Sequence, residues 1–257
     1  MQKNVFHLKE FDVILKIVLG IIFVPILLLN ILGPLLIKKA QKLPARVKFN
    51  EHDEQEFLSS REEDFNALDE SIRCLGFEYI GSSFMEDSHT KTNFSLYSNE
   101  KELTCAMVVS MVSNVKSITY VEFSQTYSDG SMLDVSNADQ VSPFPKTDFK
   151  VAVRYPKITE IEELYSIFRK LKNSLKNSST PIAYDKATGF NMVEEYMAME
   201  SDDLVSKGYC KEEIDEEGKR LLTLKGAYLI TWKSVFPGNK FMNWSNASQA
   251  RKLLNNA

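Results

Sequence analysis

The sequence predicts an α+β protein carried on an N-terminal transmembrane helix. Three observations predict it: an uncharged run of 21 residues at positions 17–37, a series of strand-like stretches between about 77 and 155, and an apolar helical stripe at about 160–176. At 257 residues the chain has room for one large domain or two small ones, either able to bury a core. Its 44% apolar and 26% charged content is that of a folded protein rather than a disordered one.

The apolar run "IVLGIIFVPILLLNILGPLLI" spans about 30 Å at 1.5 Å per residue, the thickness of a bilayer core. "KKAQKLPA" follows it without the small-residue pattern of a cleavage site, so the run reads as a retained single-pass anchor. Pro25 and Gly33-Pro34 are helix disruptors that membrane helices tolerate. Asn30 can bond to a partner helix, or to its own backbone or water, and the local bond is preferred. Positions 1–16 form an N-terminal flank and positions 38–50 a basic juxtamembrane linker. Five basic residues follow the span (Lys38, Lys39, Lys42, Arg46, Lys48) against three before it (Lys3, Lys9, Lys16). That bias favours a cytoplasmic soluble domain, at the inner membrane if the cell is bacterial. Three dispersed cysteines, Cys74, Cys105 and Cys210, agree with a reducing compartment and form neither a disulfide framework nor a zinc motif.

Positions 51–176 read as the α+β domain. A helix over 53–75 carries Phe65, Leu68, Ile72 and Leu75 on one stripe and stops at Gly76. Strand patterns follow: "FEYIGSSFM", "TNFSLYS", an "NEKE" turn, "LTCAMVVSMV", "SITYVEFSQTY", a Ser128-Asp129-Gly130 turn, "SMLDV" and "DFKVAVRY". In "LTCAMVVSMV" the apolar face is Leu103, Cys105, Met107, Val109 and Met111, and the short links predict antiparallel neighbours. The helix near 160–176 begins with Thr159 and Glu162 spaced as a capping box. Its Ile161, Leu164, Phe168, Leu171 and Leu175 are set to cover the inner face of the sheet. Positions 177–189 read as a linker, 190–236 as a small helix–hairpin–helix unit, and 237–257 as a basic aromatic tail.

Charge is strongly partitioned: about +6 over positions 1–50, −17 over 51–217 and +7 over 218–257. The hairpin near 208–224 has the outline of a winged-helix wing, but Glu212, Glu213, Asp215, Glu216 and Glu217 at its tip would repel a duplex. The helix before it adds Glu194, Glu195, Glu200, Asp202 and Asp203, so nucleic-acid binding is not expected. The acidic tip is instead a candidate contact for a basic protein partner. Beyond Glu217 the chain is basic and aromatic. Trp232, Lys233, Phe236, Lys240, Phe241, Trp244, Arg251 and Lys252 are candidate contacts to an anionic membrane surface, with packing of the aromatics into the domain as the competing placement.

Enzyme signatures are sparse. There is no nucleophile elbow, P-loop or dinucleotide fingerprint, and neither a cofactor nor a metal is expected. "EHDEQE" gathers carboxylates around His52 but lacks a helical pair of histidines, and reads as a solvated helix start. A dispersed hydrolase-type site using His89 is the alternative to a non-catalytic interaction or scaffolding module. The segments "VEFSQTYSDGSMLDVSN" and "RLLTLKGAYLITWKSVFP" resemble a pattern found in uncharacterised single-span bacterial membrane proteins. That resemblance implies the architecture above and brings no activity with it. A second resemblance, to a winged-helix wing, covers positions 204–233, and its charge removes the implied DNA binding.

Overall fold

The computed structural model describes residues 2–49, 63–87, 90–113, 117–139, 142–175 and 177–257. His52 with its carboxylates, and His89, lie outside the described residues. The chain divides into two compact units. The larger comprises Pro44–Ser142, Lys146–Asp203 and Asn243–Ala257, and the smaller Met1–Leu43, Pro143–Pro145 and Leu204–Met242.

The larger unit is a mixed α+β structure built on a seven-stranded, mostly antiparallel sheet. Strands β2 (Glu78–Asp87), β3 (Thr90–Asn99), β4 (Thr104–Ser113), β5 (Ser117–Tyr127) and β6 (Met132–Ser136) pair in sequence order. β8 (Pro181–Ile182) joins the end of β5 and so places a strand inside the expected 177–189 linker. β7 (Lys150–Arg154) corrects the expectation of uniformly antiparallel neighbours, for it pairs with β6 in parallel. The physical reason is the connection: residues 137–149 are long enough to carry the chain back to the same end before β7 begins.

Alternation along β5 divides the sheet into two covered faces. Val121 and Phe123 point into the principal core with Ala106, Val108, Leu133, Val135 and Val153. Over this face lie α2 (Glu63–Cys74), through Phe65 and Ile72, and α3 (Ile161–Ser174), through Ile161, Leu164, Phe168 and Leu171. The stripe read from the sequence is therefore the buried one. The capping box is not: Glu160 is the N-cap and makes no side-chain cap bond, and Thr159 turns its hydroxyl to the Glu160 carboxylate instead. A third contributor is α6 (Gly238–Asn255), whose Ala250, Leu253 and Leu254 pack against the same core. The expected 237–257 tail is thus a helix, and its far end is part of the hydrophobic interior.

The second face is apolar at one end and polar at the other. Leu96, Cys105 and Met107 meet Tyr184 and the start of α4 (Gly189–Ser206), where Phe190, Met192 and Val193 pack on them. The apolar β4 side with Cys105 and Met107 thus meets α4, and Ala106 and Val108 on the other side lie under α3. Two glycines let α4 approach: a Cβ on Gly189 would meet Leu96 Cδ2 at 2.9 Å and Ile80 Cδ1 at 2.8 Å, and one on Gly81 would meet Phe190 Cε2 at 3.1 Å.

The basic linker is folded. Ala45 and Val47 are buried while Arg46 and Lys48 face outward, an extended strap against α4. Arg46 makes a two-pronged pair with Asp202 at 3.0 Å, Lys48 binds Glu194 at 2.5 Å, and the Phe49 N–H donates to Glu194 at 2.8 Å. Phe49 then wedges between Phe94 and Phe190, with ring centroids 5.1 Å from each.

In the smaller unit, β9 (Cys210–Ile214) and β10 (Lys219–Leu222) form the expected hairpin, and β1 (Lys42–Pro44) adds a third strand beside β10. Gly208 and Gly218 take positive φ at its two ends. Helix α5 (Leu224–Ser234) starts at Thr223, whose hydroxyl accepts from the Gly226 N–H at 3.1 Å. The long helix α1 (Gln2–Ala40) completes the unit. Over Ile14–Ala40 it is apolar and long enough to cross a membrane, a test that an N-terminal signal sequence also passes.

Two measurements check this packing. A Cβ on Gly226 would lie 2.1 Å from the Tyr209 carbonyl oxygen, so Gly226→Ala should cost about 2 kcal/mol or more in denaturant unfolding, beyond the ~1 kcal/mol expected of Thr223→Ala. Glu194→Ala should release the strap, read as faster tryptic cleavage after Arg46 and Lys48 with the remaining fragment intact.

Candidate functional site

The polar half of the sheet's second face gathers the titratable side chains that sequence reasoning missed. Glu122 on β5, Asp134 on β6 and Lys150 on β7 all alternate away from the principal core. Register sets them diagonally, because Glu122 stands opposite Ser136, while Asp134 stands opposite Ser124 and Ala152. Lys150 Nζ lies 3.1 Å from Asp134 Oδ2 and 3.7 Å from Glu200 Oε1 of α4, and 5.3 Å from the centre of the Tyr196 ring. Asp134 and Tyr196 are buried, and the Lys150 side chain is 19% exposed.

Three carboxyls around one ammonium do not all ionise at equal cost. Burial, followed by the neighbouring Asp134, raises Glu122 to about 8. Burial raises Glu200 too, against the pull of Lys150. Burial opposes the charge on Lys150, but Asp134, Glu122 and Glu200 outweigh it and hold its pKa well above the ordinary value. Asp134 Oδ1 is buried without a hydrogen-bond partner, which leaves it open to a proton held on the neighbouring Glu122. Glu122 favours its neutral form and Lys150 its charged form, and Lys150 pairs directly with Asp134. The arrangement can store a proton, and its enclosure between sheet and α4 makes it a means of seating that helix. The sequence signal was the charge interrupting "VEFSQ" and "MLDVS" at core-like strand positions.

No group of three or more His, Cys, Asp and Glu side chains is set to hold a metal among the described residues. Cys105 is buried and burial pushes its thiol far up, the condition of a packed thiol rather than a nucleophile.

The acidic tip read from the sequence is partly spent within the smaller unit. Asp215 accepts from Lys42 Nζ at 2.7 Å and from the N–H groups of Glu217 and Lys219, and the Lys42 hydrogen bond first of all holds its pKa below the usual value. Glu217 lies 3.9 Å from Lys42 and 3.5 Å from Lys219. Glu212, Glu213 and Glu216 are exposed.

The basic aromatic candidates separate in the same way. Phe236, Lys240, Phe241, Trp244, Arg251 and Lys252 are exposed, and Trp232 is half-buried. Lys233 is buried, and its ammonium donates to the Phe144 carbonyl oxygen. Its place on the inner side of α5 corrects its reading as a surface contact, because the helix turns that position inward.

The chain matches no family model, no curated protein and no solved structure.

Glu122→Gln tests the proton assignment. A raised folded pKa gives stability that is present below the ordinary carboxylate range and is lost as the pH climbs through about 8. In detergent, the variant should unfold like the parent near about pH 5 and be more stable by about 1–3 kcal/mol near about pH 9.

Proposed function

We propose that this chain is a membrane-anchored interaction module, with α1 crossing the bilayer once and the α+β unit presented on the cytoplasmic side. The observation that carries the reading is the surface of α1. From Ile14 to Leu36 its Ile, Leu, Val and Phe side chains are mostly exposed, Ile21 at 69% and Leu36 at 66%. An unburied apolar surface of that length is stable in lipid and costly in water. The five-to-three excess of basic residues after the span supports the cytoplasmic side. The resemblance of "VEFSQTYSDG" and "LTLKGAYLITWK" to uncharacterised single-span bacterial membrane proteins supports the same architecture.

The partner surface proposed is the outer side of the β9–β10 hairpin. Glu212, Glu213 and Glu216 are exposed there, whereas Asp215 already binds Lys42. A basic protein surface complements them, and a nucleic-acid backbone does not.

The anchor is checked by extraction of membranes at alkaline pH: the chain should stay in the pellet, and release into the supernatant would sink the reading. The partner surface is checked by combined Glu212→Lys, Glu213→Lys and Glu216→Lys substitution. Loss of at least about tenfold in affinity for a captured basic partner is expected, with the chain still folded and membrane-bound.

A further inference from the structure

Within the smaller unit, α5 runs antiparallel alongside the C-terminal half of α1. The pairing is fixed at two levels. Gly33 faces Thr231, whose Cγ2 would be 2.9 Å from a Cβ at that glycine. Asn30 donates from Nδ2 to its own helix at Ile26 O, 2.8 Å, and to the Phe236 carbonyl oxygen, 3.1 Å. Asn30 lies seven residues before Ile37, so Phe236 reaches about 10 Å along the apolar run from its soluble end.

Around those same levels α1 remains exposed and apolar: Ile31, Leu32, Leu35 and Leu36 are 49–66% exposed. Whatever solvates them also solvates the outer side of α5, where Leu224, Tyr228 and Phe236 are 48–56% exposed. The charges of α5 are withdrawn from that side. Lys233 is capped by the Phe144 carbonyl, and Lys225 at the helix start donates to the Lys207 carbonyl at 2.7 Å beneath the Tyr209 ring. Between the two helices runs a groove of about 800 Å³, lined by Leu27, Ile31 and Leu35 on one wall and Tyr228, Trp232 and Pro237 on the other.

We propose that α5 and the corner at Phe236–Gly238 form a re-entrant membrane element that enters the bilayer beside α1 without crossing it, with lipid acyl chains filling the groove. The proposal rests on the membrane-spanning reading of α1. The corner is closely built: a Cβ on Gly238 would meet the Trp232 carbonyl oxygen at 2.0 Å, so the chain can reverse there only through glycine. The chain enters the larger unit at Pro44 after α1 and rejoins that same unit at Asn243 after the corner, so both ends of the element connect to one unit. Lys240, just past the corner, is exposed, and its long stem suits it to snorkel to the headgroups.

Depth-dependent quenching of Trp232 tests this in the full chain, using Trp244→Phe to leave one indole, reconstituted in phosphatidylcholine–phosphatidylglycerol vesicles. Lipids brominated on the acyl chain should remove roughly half or more of the emission, and a headgroup-attached quencher much less. If the protein floats with the vesicles but the headgroup quencher acts more strongly, the re-entrant element is overturned and the anchor stands. If the protein does not float, the anchor itself falls, and this proposal with it. A second variant, Tyr228→Cys in a Cys74→Ser background, should be shielded from an impermeant maleimide that labels Glu213→Cys freely. Rapid labelling of Tyr228→Cys, or its disulfide cross-linking to a second copy through the groove, overturns the proposal.

Discussion

A sheet covered on both faces has no solvated side on which to leave its polar residues, and much else in the larger unit follows from that constraint. The principal core takes Val121 and Phe123 of β5, Leu133 and Val135 of β6, and Val153 of β7. The residues between them include Glu122, Asp134 and Lys150, which must therefore be satisfied inside the protein. Asp134 and Lys150 pair directly, Glu122 keeps a proton, and α4 brings Tyr196 and Glu200 to complete the group. Helix α4 is held at its other end by apolar packing on Leu96 and Cys105. One end gives binding energy, and the other gives register, since a sliding helix would strand charges away from their partners.

The same helix explains the acidity that stands out in the sequence. Glu194 and Asp202 are not an open negative field; they hold Lys48 and Arg46 of the strap. Basic linker and acidic helix look like separate features when read along the chain, yet they are complementary halves of one contact. Exposed pairs such as Arg46–Asp202 add little by themselves, but Glu194 also takes a backbone N–H and leads into the Phe49 aromatic wedge. The strap thereby fastens the stretch after α1 to a folded body instead of leaving a loose tether.

Legibility followed the strength of local patterns. The strands, the α3 stripe, the Gly130 turn and the apolar run of α1 were legible because each repeats a period or places a turn residue where the backbone demands it. What escaped depended on contacts distant in sequence. Both faces of β4 are apolar, so alternation could not say which lay under α3. The parallel β6–β7 pair is set by the course of a long connection. Helix α6 is polar over most of its length, and only Ala250, Leu253 and Leu254 tie it to the core. The Glu122 cluster leaves only single charges in otherwise strand-like runs.

Asn30 shows how a polar residue in an apolar run can be a structural specification. Left alone, an amide in lipid would satisfy itself on its own helix, and one bond, to Ile26, does this. The second, to the Phe236 carbonyl, is available only because α5 ends where it does and leaves that carbonyl outside its own ladder. Gly33, one turn further on, removes the side chain that would hold the helices apart. Asn30 and Gly33-Pro34 thus cluster where α1 meets α5, while Pro25 and most of the Leu and Ile side chains of the run face outward. An apolar run by itself needs neither feature; α1 carries the marks of a helix shaped to receive a second element.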